Sequence, residues 1–173
     1  NTTAKSVNEF TGSKQCASCH QQQTKEWQQS DHFHAMEIAN TKTVLGDFSN
    51  KTIKFHGYAS RFFIDKEQYF VETINNNGNK QVFPVRYTFG YRPLQQYLVD
   101  IGDGKLQAFD IAWDARSKDE GGQRWFHLQP DEKITTEHPF FWTRHFQNWN
   151  SRCAECHSTN LQKNYSAKTN SYD

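Results

Sequence analysis

From residue 52 onward, apolar and polar positions alternate in a way that the two ends of the chain do not. Ile53 and Phe55, then Phe62, Phe63 and Ile64, then Tyr69, Phe70, Val71 and Thr73 read as strands with a repeat of two. Asn75-Asn76-Asn77-Gly78-Asn79 is a strong hairpin turn, and residues 81–89 are its return strand. Pro84 lies inside that strand. It has no N–H to donate, which argues for an edge position or a bulge. Residues 94–101, 106–113 and 124–128 read as three more strands. Gly102-Asp103-Gly104 is a second hairpin turn, and residues 114–122 are a charged loop ending in glycine. The middle of the chain, residues 50–130, is therefore expected to be an antiparallel β-meander of about six strands.

The flanks carry a different signal. Residues 1–14 are a polar arm. Residues 17–29 are rich in Gln, Lys and Glu, with Trp27 as the one large apolar residue, and read as a helix. Ser30 and Asp31 are good helix caps, so a break there predicts a second short helix over residues 32–39. Residues 43–49 form a connection. After Pro130 the chain turns irregular, and a helix is expected from residue 140 or 142 to 149. Residues 158–173 are polar and unpatterned. The expected fold is α+β: a meander flanked by N- and C-terminal helical segments. It forms one domain over residues 1–173, divided at 1–49, 50–130 and 131–173.

Composition adds two points. Only 35% of the 173 residues are hydrophobic while 15% are aromatic (Phe 14, Tyr 7, Trp 5). Such a core relies on rings and suits a large flat apolar cofactor. The formal net charge is +1, which gives no footprint for nucleic acid. No apolar run is long enough to span a membrane.

The chemistry sits at the two ends. Cys16-Ala17-Ser18-Cys19-His20 and Cys153-Ala154-Glu155-Cys156-His157 are two copies of C-x-x-C-H, and they use all 4 cysteines of the chain. This is the attachment signature of c-type haem. Two thiols add to the two vinyl groups on one edge of the porphyrin, and the adjacent histidine reaches the iron. Zinc is the main competitor, since Cys16, Cys19, Cys153 and Cys156 make up a four-thiolate set. The gap between the pairs is far longer than in a zinc ribbon, and zinc does not explain a histidine after both pairs. Redox disulfides fit less well, because neither pair ends a hydrophobic strand in a βαβ pattern. The expectation is two covalently attached c-type haems, with His20 and His157 as proximal ligands. Covalent haem is attached outside the cytoplasm, so a periplasmic or otherwise extracytoplasmic location is expected, with a leader outside this sequence.

Second axial ligands must come from the remaining histidines or from Met36. His32 is the first candidate. An unbroken helix from His20 to His32 would hold them about 18 Å apart along its axis. Either the chain turns at Ser30-Asp31 and His32 serves its own haem, or it stays straight and His32 serves the other. His127 lies among Trp125, Phe126 and Leu128, and reads as a ligand or as a buried histidine satisfied by the backbone. His145 and His138 lie near the second motif. His34, two residues from His32, points elsewhere on a helix, and His56 reads as structural. Met36 would give a His/Met haem of raised potential, although its place on one helical face with Phe33 reads as core. Two six-coordinate irons imply electron transfer with redox partner proteins. An open iron would instead imply an oxidoreductase on small nitrogen or oxygen compounds, and a sensor of redox state or of a small gas is a third class.

Beyond the motifs, several stretches match a known pattern. They are Cys19-His20 with Trp27 and Ser30-Asp31-His32; Val44-Leu45-Gly46-Asp47-Phe48; Arg86-Tyr87-Thr88-Phe89-Gly90 with Pro93 to Val99; Leu106-Gln107-Ala108 with Ala112-Trp113-Asp114; Gly122 to Leu128 with Pro130-Asp131-Glu132; and Gln147-Asn148-Trp149-Asn150 running into Cys153. Over nearly its whole length the chain resembles the multihaem c-type cytochromes of the cytochrome c-554-like kind, which are often fused to C-terminal tetratricopeptide repeats. The resemblance implies an N-terminal dihaem portion of a longer protein. It also implies that His32 is the matching histidine and His34 an extra one. His127 falls in a shared motif. Phe141 stands where relatives often carry a histidine.

Overall fold

The computed structural model describes residues 12–173; most of the expected polar arm (residues 1–11) lies outside the described residues. The expected meander with flanking helical segments is not what forms. The chain builds a nine-stranded antiparallel sheet that curls into a nearly closed barrel, and its helices are short.

The strands are β1 (Met36–Ile38), β2 (Lys51–Phe55), β3 (Tyr58–Asp65), β4 (Gln68–Ile74), β5 (Lys80–Phe89), β6 (Leu94–Asp100), β7 (Leu106–Ala108), β8 (Ile111–Asp114) and β9 (Arg124–His127). They run β2-β3-β4-β5-β6-β8-β9 across the sheet, with β1 added to β5 and β7 to β6. Both expected hairpins form. Asn75 Oδ1 accepts the N–H groups of Asn77 and Asn79, and Gly102 and Asp103 hold positive φ. The expected strand over residues 106–113 divides into β7 and β8.

Ring packing closes the barrel. Phe62 of β3 lies flat on Trp125 of β9, with centroids 3.8 Å apart and planes at 13°. Strands near opposite edges of the sheet meet there, and a flat meander would leave these inward aromatic faces in water. Two segments plug the interior. Phe48 enters near the start of β4, edge-on to Phe62, Tyr69, Tyr97 and Trp125 at 5.0–5.5 Å. Phe141 and Trp142, both fully buried, fill the other end, where the Trp142 indole donates to Ile74 O at the end of β4. The helix expected from residue 140 or 142 to 149 does not form for this reason: the rings that suggested it are core, and only a single 3₁₀ turn at His145–Gln147 remains.

β5 changes face part-way along. Phe83 and Val85 point into the barrel core, whereas Tyr87 and Phe89 join a second cluster on the outer surface. Uninterrupted alternation would put all four on one face. The register against β6 shifts between Val85 and Tyr87, one residue after Pro84, so the bulge expected at the proline is present. Its effect is to re-aim two aromatic side chains outward.

The connection over residues 43–48 is tied to β6. Gln95 Oε1 accepts Leu45 N–H at 2.8 Å, Gln95 Nε2 donates to Thr43 O at 3.0 Å, and the Tyr97 hydroxyl accepts Gly46 N–H at 3.0 Å. A Cβ on Gly46 would lie 2.5 Å from that hydroxyl and 2.8 Å from the Trp125 ring. Gly46→Ala is therefore expected to lower the free energy of unfolding by about 1–3 kcal/mol, read from denaturant melts. A second expectation concerns acid. The Arg116 guanidinium, which donates to both Asp114 oxygens at 2.9 and 2.6 Å, holds the Asp114 carboxyl at about 2 against an ordinary 3.8. The folded pKa is depressed, so this contribution is present above the ordinary value and is lost as pH falls through about 2. Asp114→Asn is expected to reduce stability at neutral pH and to flatten this acid limb in melts recorded from neutral pH down to strong acid.

Candidate haem sites

Each C-x-x-C-H stretch is one helical turn. In the first, Cys16 lies in the last turn of a short helix, α1 (Ser13–Ala17). Cys16 O accepts the N–H groups of Cys19 at 3.3 Å and His20 at 3.0 Å. That places two thiols and one imidazole at i, i+3 and i+4, on a single face. The face continues along α2 (Gln21–Gln28) through Gln23, Thr24 and Trp27. With Ser13, Cys16 and His20 these residues line an open groove of about 310 Å³. The sequence reading expected one helix here; two form, broken at residues 18–20.

Neither α1 nor α2 buries a residue, and Trp27 is 44% exposed. A helix of this length without an apolar partner is marginal in water. A flat apolar body on the Cys16–His20–Trp27 face would supply the missing burial, so Cys16, His20 and Trp27 fit one side of a porphyrin, with Cys19 one turn-step away outside the groove.

After α2 the chain turns. The Ser30 hydroxyl donates to Trp27 O at 2.6 Å, and Phe33 N–H donates back to Ser30 Oγ at 3.4 Å. His32 lies exposed on this turn, and the straight-helix alternative is not realised. The second helix expected over residues 32–39 is replaced by turns and by strand β1, which places Met36 opposite Phe89. The cause lies in β5. Its pairing with β4 stops at Pro84, so the outer half of β5 has unpaired backbone groups that β1 satisfies. His34 is tied to Glu37 at 2.9 Å, with its ring 4.8 Å from Tyr91.

The second motif is anchored. Asn148 Oδ1 accepts Ser151 N–H at 3.0 Å, opening a wide turn (Trp149–Cys153) that leads into α3 (Ala154–His157). Cys153, Cys156 and His157 again stand at i, i+3 and i+4. Asn150 accepts Leu106 N–H at 2.8 Å and donates to Gly104 O at 3.1 Å. Trp149 and Ala154 pack on Leu98 and Ala108, on the outer face of the barrel, with Met36, Tyr87, Phe89 and Cys153 around them. The exposed His157 ring stands 5.1 Å from Phe89. Burial, with Cys156 nearby, pushes the Cys153 thiol up from its ordinary value. Beside this turn lies a cavity of about 470 Å³ whose walls include Met36, Arg86, Trp149, Ala154, Ser158 and Leu161. Cys153, Cys156 and His157 do not line this cavity, whose walls also carry Asp100, Lys163 and Asp173; what suits a porphyrin here is the spacing of the two thiols and the exposed imidazole.

The remaining histidines are spread out. His127 is buried at the Trp142 end of the barrel. Its Nε2 pairs with Asp110 Oδ2 at 3.2 Å and its Nδ1 accepts Gln129 N–H at 3.0 Å, so both ring nitrogens are engaged within the protein. Tyr58 donates to the same Asp110 oxygen, and burial first, then this carboxylate, raises the Tyr58 hydroxyl. His56 donates toward Gln129 O at 3.1 Å, 3.4 Å from His127 Nδ1. His138 accepts Phe140 N–H and faces Glu132 at 3.9 Å. His145 is exposed and lines a groove with Lys105, Tyr165 and, from the turn that carries the second motif, Asn148 and Ser151. Phe141, where relatives often carry a histidine, is sealed in the core. None of the four cysteines is in a disulfide, and among the described residues no group of three or more His, Cys, Asp or Glu gathers around a common point. The four-thiolate zinc set is therefore not assembled.

Residues 15–59 match the family described as cytochrome c554 and c-prime. The match supports a c-type cytochrome family. It covers the first motif, the Ser30 turn, β1 and the Phe48 plug. No curated protein and no solved structure gave a match. A c-type cytochrome carries covalently bound haem and serves electron transfer with redox partners. Among the described residues, no helix is long and apolar enough to cross a membrane. The sequence reading missed Asn148 and Asn150, the anchors of the second motif; their only signal was the shared Gln147-Asn148-Trp149-Asn150 stretch. It also missed Asp110, an acidic residue in an apolar strand pattern.

His127→Leu is expected to strand the buried Asp110 carboxylate and to cost about 3–5 kcal/mol in denaturant unfolding, while the haem absorbance of the folded protein stays unchanged.

Proposed function

We propose that the chain is a dihaem electron-transfer module working outside the cytoplasm. Cys16 and Cys19 would hold one haem with His20 on its iron, and Cys153 and Cys156 the other with His157. The observation that carries this reading is the repeated spacing: twice in the chain a helical turn sets two thiols and an imidazole at i, i+3 and i+4, and at the first copy Cys16 and His20 line an open groove with Trp27. The haem supplies a one-electron centre. The chain would orient it and cover part of it. The turn at Ser30 supports His32 as the second ligand of the first iron, because it folds the chain back after α2. Arg92 near the first site and Arg86 near the second stand beside open grooves, where their charge would favour haem propionates.

Haem counting by the alkaline pyridine method, joined to electron paramagnetic resonance, tests the reading. Two haems per chain are expected, both low-spin and both indifferent to carbon monoxide. The double change Cys16→Ala with Cys19→Ala should leave one haem. A haem that stays high-spin and binds carbon monoxide would contradict simple electron transfer and favour an open-iron enzyme or gas sensor.

A further inference from the structure

We infer that the groove shared by His145 and the second motif's turn binds an oxyanion, either a free inorganic one such as phosphate or the propionate of a haem held at Cys153 and Cys156. The site itself goes beyond the dihaem reading, and only its propionate source rests on that reading.

The groove has a volume of about 380 Å³, and several segments converge on it. Lys105 comes from the β6–β7 hairpin, Arg144 and His145 from the stretch after the Trp142 plug, and Ser151 from the turn that leads into Cys153. Asn170 and Tyr172 come from the C-terminal hairpin, where Tyr165–Ser166 pairs with Ser171–Tyr172. Among the described residues no aspartate or glutamate lines it. Two larger grooves are balanced by contrast. Arg92 and Arg116 share theirs with Asp31 and Glu120, and Arg86 and Lys163 share theirs with Asp100 and Asp173. A cleft walled by one sign of charge concentrates ligands of the other.

The carboxylates that approach these cations stand outside the lining and are exposed. Lys105 Nζ lies 3.8 Å from Asp103, whose side chain is 71% exposed, while the Lys105 side chain is only 21% exposed. Arg144 Nη2 lies 3.3 Å from Glu137, whose side chain is 84% exposed. Water and salt screen such pairs. Donors are left over within the groove. Arg144 places Nε and Nη2 on Thr136 O and keeps Nη1. Asn170 accepts the Tyr165 hydroxyl through Oδ1, which leaves its amide N–H groups. The Lys105 ammonium, the His145 imidazole and the Tyr172 hydroxyl have no hydrogen-bond acceptor among the described residues. A compact ligand rich in acceptors satisfies these groups together. An apolar ligand would desolvate the ammonium without pairing it, and a cation would be repelled.

Calorimetric titration of the holoprotein with inorganic phosphate, against chloride at matched ionic strength, tests the site. One phosphate per chain is expected, with no saturable response to chloride. Lys105→Gln should weaken binding about tenfold, and His145→Gln should weaken it too. Lys54→Gln, an exposed change on β2 outside the groove, should leave it unchanged. Circular dichroism confirms that each variant is folded. The same titration on the double variant Cys153→Ala with Cys156→Ala separates the two sources. Binding to both proteins marks a free oxyanion, whereas binding confined to the double variant marks the propionate of the haem it has lost. No saturable binding by either protein, or equal weakening by Lys54→Gln and Lys105→Gln, would overturn the site. Fewer than two haems per chain by the pyridine method would overturn the dihaem reading alone and leave the phosphate titration to decide the site.

Discussion

The bulge in β5 is the constraint on which the rest of the molecule depends. Before it, Phe83 and Val85 face the barrel interior; after it, Tyr87 and Phe89 face the outer surface. One shift of register lets a single ten-residue strand serve two cores. Pro84 sits at the change, where the strand also passes from pairing with β4 to pairing with β1. Without the shift, two large rings would enter an interior already filled by Phe48 and Trp142, and the outer cluster would lose the surface on which Trp149 and Ala154 rest.

The two motifs are consequently unequal. The second is built onto a rigid scaffold: its turn is capped by Asn148, tied to β7 by Asn150 and seated on Leu98 and Ala108. The first stands on helices with no buried residue and depends far more on whatever covers its Cys16–His20–Trp27 face. Cofactor attachment would then order the first site and occupy the second, so the N-terminal segment should gain most in protection from proteolysis when haem is present. The buried Asp110–His127–Tyr58 group is hydrogen-bonded within the barrel and belongs to its architecture.

Much of this was legible in the sequence. Hairpins at residues 75–79 and 102–104 follow from turn chemistry, which is local. The bulge near Pro84 follows from a missing N–H. The attachment turns follow from spacing, since i, i+3 and i+4 share a face in any helix. What escaped was non-local. Alternation shows that a strand has two faces, but not that Phe62 will meet Trp125 and close a barrel. Residues 32–39 lack a strand signature of their own, and β1 forms because β5 leaves its outer half unpaired. The rings of Phe141 and Trp142 read as helix until the barrel that swallows them exists. His127 had the sequence context of a ligand and took a buried place beside Asp110, a partner no pattern announced.

The central claim is that this chain holds two haems by covalent bonds at Cys16, Cys19, Cys153 and Cys156. The most direct measurement is the intact mass of the mature protein under denaturing conditions, after production with a cytochrome c maturation system. The account predicts the polypeptide mass plus two haems that survive unfolding. A mass equal to the bare polypeptide would contradict it.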